Sequence, residues 1–191
     1  VTNNINAGCY VFRKSIIDSI PSGRPVSVER ETFPGLLAAD ALVSGKVDSG
    51  YWLDLGTPLS FVQGSRDLVL GRAPSPAVPV TGDFLALDGS SIDGSANVHG
   101  GTVVGRDAQV AADAVVDGCV IFDGAVVEAG ARIANSIIGV GAVIGRQTVV
   151  ESAVIGDGAR IGAGNELLAG VRIWPDAVVG DTAVRFSSDR S

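Results

Sequence analysis

A chain of 191 residues with 46% apolar and 18% charged side chains has the material for one or two packed domains. Its net charge of −7, with lysines only at Lys14 and Lys46, speaks against nucleic acid, whose phosphates call for clustered cations. No apolar run approaches the roughly 20 residues that span a bilayer. Cys9 and Cys119 lie far apart and form no metal-type spacing, which favours a reducing cytoplasm.

The sequence contains no methionine and opens on a strand-like stretch, so it reads as a piece of a longer protein. Over residues 1–71, "INAGCYVF" and "GKVDSGYWLDL" have strand composition, and "RKSIIDSIP" spaces its apolar residues as a helix that ends at Pro21. Ser27 is placed to cap a further short helix with Glu29 and Glu31 in its first turn, where the helix dipole favours acids. Thr57 followed by Pro58 marks the start of another helix, "TPLSFVQGSRDLVLG", with Leu59, Val62 and Leu68 as its inward side. Asp54 then falls between two leucines at the mouth of a strand, where an unpaired carboxylate is costly. Two or three strands and three helices are too few to cover a sheet on both faces, so this piece is expected to be one side of a larger α/β domain. A Pro-rich linker over 72–80 follows.

From residue 81 to 191 the pattern changes. Aliphatic residues recur from Leu87 through Ile92, Val98 and Val104 to Val184 in steps of six or five, and Leu87, Val104, Ile121, Ile138 and Ile155 stand 17 apart. Three such steps per repeat describe a coil with three flat sides and one inward aliphatic on each. The residue two before most column positions is small, as at Ala108, Cys119, Ser136 and Ala153. Gly105, Gly139, Gly145, Gly156 and Gly162 follow column residues and are expected to give the corners unusual backbone angles. Stacked coils would share one continuous apolar core, leave strand edges and apolar columns open at the ends, and so favour a homo-oligomer. His99 reads as an exposed corner residue, Cys119 as an inward small residue, and Trp174–Pro175 as a variation near the end of the coil.

"NAGCYVF", then "SVERETFPGLL", then "GYWLDLGTPLSFVQGSRDLVLG", followed by hexapeptide coils, resembles the sugar-phosphate nucleotidyltransferases, and among them the mannose-1-phosphate guanylyltransferases. The resemblance implies a partial Rossmann-like α/β domain followed by a left-handed parallel β-helix of hexapeptide repeats. It implies attack of a sugar 1-phosphate on a nucleoside triphosphate, assisted by Mg²⁺, to give GDP-mannose and pyrophosphate. It places Asp54 as one of two metal-holding aspartates and Asn6, Ala7 and Gly8 as a sugar-contacting turn, with Glu31 accepting from a sugar hydroxyl. The family's glycine-rich nucleotide loop has no counterpart here, so the chain alone is expected to be inactive. Two other readings stay open: a hexapeptide-repeat acyltransferase using His99 as base, and a non-catalytic assembly or regulatory module.

Overall fold

The computed structural model describes residues 4–78 and 82–185, and the chain divides between Trp52 and Leu53 into two units. In the first, α1 (Lys14–Ser19) carries a Lys14–Asp18 ion pair at 2.7 Å one turn apart. The Ser27 hydroxyl accepts from the Arg30 amide at 3.1 Å, the capping role read from sequence. The turn it starts, Val28–Thr32, is wound as a π-helix before α2 (Phe33–Ala38) follows.

The two stretches expected to be strands, 5–12 and 45–55, form none. Strand composition becomes a strand only when a neighbour supplies the ladder, and no described residue of this unit does so. The Rossmann-like sheet is therefore not formed by these residues. Tyr10, Phe12 and Phe33 gather with ring centroids 5.2–6.0 Å apart. Even so, no described residue of this unit is buried, and Val11, Leu42 and Val47 stand open to solvent.

The second unit begins with Leu53 and α3 (Pro58–Val69) and continues as a parallel β-solenoid. Its three faces hold six, six and five short strands, starting at Phe84–Ala86, Ser91–Ile92 and Asn97–His99. Parallel neighbours pair at offsets of 17 or 18, as in Val103 with Val120 and Phe84 with Thr102. Every column residue from Val98 to Leu167 is buried, and Leu87, Ile92, Ile173, Val179 and Val184 at the two ends are only partly so. Each coil covers the one before it, so the core is continuous along the axis and uncovered only at its tips.

The small inward position has a second use that the aliphatic period does not reveal. Thr102, Cys119, Ser136, Thr148 and Asn165 occupy it fully buried, and their side chains tie coils together. Thr102 Oγ1 accepts from the Cys119 amide at 3.2 Å, and Ser136 Oγ accepts from Ala153 at 3.0 Å. Asn165 donates to the Gly162 and Gly180 carbonyls and accepts from Val184 N–H at 2.8 Å, bridging the last coils. Burial without such partners would cost about 1–3 kcal/mol per group.

The corner glycines correct an expectation. Gly105, Gly139, Gly145, Gly156 and Gly162 do not have positive φ. A Cβ on Gly105 would lie 2.6 Å from the backbone of Phe122 and Asp123, and one on Gly145 equally close to Gly162 and Ala163. The next coil passes too near for a side chain. Left-handed angles fall instead two or three residues after the column, at Gly118, Gly124, Gly130, Gly141 and Gly158 and at Asp107, Asp113, Asn135, Gln147 and Ser152. Acids near the corners then bind the neighbouring coil: Asp123, Asp157 and Asp181 accept from the amides of Arg106, Val140 and Ala163 at 2.7–2.8 Å. Part of the negative charge is thus spent on stacking.

α3 packs on this solenoid. Its buried residues are Val62, Gly64, Asp67 and Val69; Leu59, expected to face inward, is 69% exposed. Phe61 stacks on Phe122 at 6.4 Å with the rings 10° apart, and the Val69 carbonyl accepts from Gly82 N–H at 3.0 Å. The packing face follows the partner surface, which runs along Val62 and Val69 and leaves Leu59 beyond its edge. Among the described residues no helix is long and apolar enough to cross a membrane.

Candidate functional site

In the first unit Asn6 folds back on its own chain: Oδ1 accepts from Gly8 N–H at 3.0 Å. Gly8 takes φ +73°, with open space where a Cβ would be, so the turn requires glycine for its backbone angle. The Asn6 amide nitrogen donates to the Tyr10 hydroxyl at 2.6 Å and to Glu29 Oε1 at 2.9 Å. Tyr10 donates to the same carboxylate oxygen at 2.7 Å, and this bond to Glu29 holds its hydroxyl above the usual tyrosine range. Asn6, Tyr10 and Glu29 thus fix one another on an exposed surface. The bonds to Asn6 and Tyr10 both use Glu29 Oε1, and a carboxylate and an amide oxygen are acceptors of the kind that suits hydroxyl donors. Ala7 is exposed within the same turn.

Glu31 is engaged elsewhere. Its Oε2 pairs with Arg24 at 2.8 Å, its Oε1 accepts from Ser27 N–H at 3.2 Å, and the Arg24 contact lowers its carboxyl below the ordinary range. The acid joined to Asn6 is Glu29, which sequence reasoning treated only as a first-turn acid. A pairing across 23 residues leaves no local trace in a sequence.

In the second unit Asp54 is exposed. Its Oδ1 accepts from Gly56 N–H at 3.0 Å, closing a tight turn. Thr57 then caps α3: its hydroxyl accepts from Ser60 N–H at 3.1 Å and the Ser60 hydroxyl accepts from Thr57 N–H at 3.1 Å, with Pro58 first in the helix. A Cβ on Gly64 would lie 2.7 Å from Leu55 Cδ2 and 3.5 Å from Leu53 Cδ2. The two leucines therefore lie against α3 at Gly64, with the exposed Asp54 between them in sequence. Tyr51 and Trp52, which precede this segment at the end of the first unit, are about half exposed.

Asp54 alone offers a hard cation one carboxylate, with Oδ2 outside the turn. Mg²⁺ commonly takes one or two carboxylates from protein and the rest from water and phosphate, so the residue fits that use. No cluster of three or more His, Cys, Asp or Glu suited to a metal occurs among the described residues.

His99 is not an exposed corner residue. It ends a strand, half-buried, with Nδ1 3.3 Å from Asp117 Oδ1. Burial pushes the Cys119 thiol up to about 12, which removes it as a nucleophile. Trp174 is 83% exposed near the last coil.

Residues 80–185 match the family described as GMPPB C-terminal domain. The chain belongs to that family. It is 54% identical over 190 residues to "Mannose-1-phosphate guanylyltransferase" of Mycobacterium tuberculosis (strain ATCC 25618 / H37Rv), covering 98% of this chain and 53% of that protein. It is 37% identical over 112 residues to "Mannose-1-phosphate guanylyltransferase 1" of Arabidopsis thaliana, covering 58% of this chain and 30% of the relative. The chain thus spans about half the length, or less, of these curated relatives. Among solved structures, the acetyltransferase domain of PglB from Neisseria gonorrhoeae FA1090 aligns over 57% of this chain and 60% of its own, at 22% identity and a TM-score of 0.28, too low to carry an argument.

Proposed function

We propose that this chain is part of a mannose-1-phosphate guanylyltransferase, supplying contacts to the sugar phosphate and one ligand to Mg²⁺. The observation that carries the reading is the 54% identity to the mycobacterial enzyme, which runs through both units rather than the solenoid alone. In this reading Asn6, held by Tyr10 and Glu29, turns acceptors toward sugar hydroxyls, with Ala7 and Gly8 leaving the backbone close to the ring. Glu31 with Arg24 braces the turn that presents Glu29. Asp54 holds the metal, whose charge offsets that gathering on phosphate oxygens. We read the hand of the solenoid as left on the same family resemblance.

The test is an assay of the full-length protein with GTP or ATP and with mannose 1-phosphate or glucose 1-phosphate. The reading expects GDP-mannose and pyrophosphate as the preferred products and no turnover by residues 1–191 alone. GDP-mannose formation by the isolated chain would overturn the division of labour, and a preference for another sugar would overturn the substrate.

We further propose a homo-oligomer formed through the solenoid, whose last coils leave Trp174 and Val178 at 83% and 75% exposure. Light scattering of the full-length protein is expected to give a mass of at least two chains; a single-chain mass at micromolar concentration would refute it.

A further inference from the structure

From α3 the Arg66 side chain reaches the solenoid surface and bonds to one of its corners. Gly101, Gly118 and Asn135 stand 17 residues apart on successive coils, all with positive φ. The backbone of Arg66 lies against the first: a Cβ on Gly101 would be 2.9 Å from its Cα and 3.0 Å from its carbonyl oxygen. The guanidinium covers the second, since a Cβ on Gly118 would lie 2.7 Å from Cζ and Nε. Nη1 donates to Asn135 Oδ1 at 2.7 Å. Nε is shut from solvent and has no hydrogen-bond partner, so the group is held there by the fit of the corner even with one N–H unmet.

The contacts continue on the other side of the helix. Leu53 and Leu55 flank Asp54 in sequence and rest at Gly64, two residues before Arg66. A displacement of α3 on the corner therefore carries the leucines, and the carboxylate between them, with it. We infer that Arg66 is a positioning residue, through which the solenoid corner at Gly101, Gly118 and Asn135 sets the place of the Asp54 carboxylate. This rests on the reading of Asp54 as a metal ligand. It gives the solenoid a part in the reaction beyond assembly, and it explains why two corner positions of adjacent coils are kept without side chains beneath one arginine.

The experiment is a Mn²⁺ titration of the full-length protein, followed by the electron paramagnetic resonance of free Mn²⁺, in the parent and in Asp54→Asn, Arg66→Met, Arg66→Lys and Asn135→Ala. Asp54→Asn tests the underlying reading: an unchanged isotherm sinks it. Given loss of a site in that variant, Arg66→Met is expected to weaken the same site roughly tenfold, as outer partners of ligands do. Arg66→Lys should recover little, because an ammonium cannot both cover Gly118 and reach Asn135 as a planar fork does. Circular dichroism and the melting temperature accompany each titration. A merely structural role would lower melting and leave the Mn²⁺ isotherm of the folded protein where it was, and that result overturns the proposal. Should Arg66→Met not fold, Asn135→Ala, which removes the accepting carboxamide and leaves the arginine in place, carries the decision: a weaker isotherm supports positioning and an unchanged one refutes it.

Discussion

Gly145→Ala is expected to destabilise the solenoid by about 3 kcal/mol, the upper end of the cost of forcing an extra carbon into a filled core. The added methyl would meet Gly162 C and Ala163 N at 2.6 Å and the Ile161 carbonyl oxygen at 2.7 Å, all backbone of the next coil. None of those atoms can swing aside as a side chain does. The Gly145 amide donates to that same Ile161 oxygen at 2.7 Å, so making room opens the ladder. Because each coil touches only its neighbours, the defect divides the stack at its middle. Gly141 supplies the comparison: it has φ +63° and nothing within 4 Å of an added Cβ. Gly141→Ala should therefore lose only about 1–2 kcal/mol, the usual charge for a left-handed L-residue. Urea unfolding of the two variants against the parent measures both. A larger loss at Gly141 than at Gly145 would show that backbone angle, not the approach of the next coil, dictates glycine at the corners.

That contrast also marks how far the sequence carries the fold. The period of five or six is a local signal repeated many times, so one register accounts for Val98 through Leu167 and leaves little freedom for error. Glycine has two distinct uses, and letters alone do not tell a turn with positive φ from a surface pressed by a neighbour. Gly141 and Gly145 look alike until the next coil is in place. In the first unit the composition of 5–12 and 45–55 is that of strands, but a strand is a pairing and no described residue of that unit pairs with them. The helix starts at Ser27 and Thr57 were legible because a cap is satisfied within a few residues. The Asn6–Glu29 and Arg66–Asn135 bonds span 23 and 69 residues, and nothing near any one partner announces the other. Asn6 and Asp54 were named as site candidates through family resemblance; the bonds of Tyr10, Glu29 and Arg66 needed coordinates.

Asp54→Asn in the full-length protein is expected to reduce kcat/KM for GDP-mannose formation by at least about a hundredfold, equivalent to some 2.7 kcal/mol of transition-state stabilisation. The substitution isolates charge. An asparagine Oδ1 accepts from Gly56 N–H just as the carboxylate does, so the turn that leads into Thr57 and α3 persists. The residue is exposed, and the leucines on either side keep their seat at Gly64, so melting should stay within a degree or two of the parent. What disappears is the anionic oxygen that a hard cation prefers. Raising Mg²⁺ should therefore recover part of the lost rate, whereas raising sugar phosphate should not. Asp54→Ala, which removes the turn acceptor as well, is expected to lower activity at least as far and to cost stability in addition. Parent-like activity in Asp54→Asn, with an unchanged dependence on Mg²⁺, would leave the carboxylate with the Gly56 turn as its whole purpose; the two leucines and the capped helix behind it would then be holding a loop and no metal.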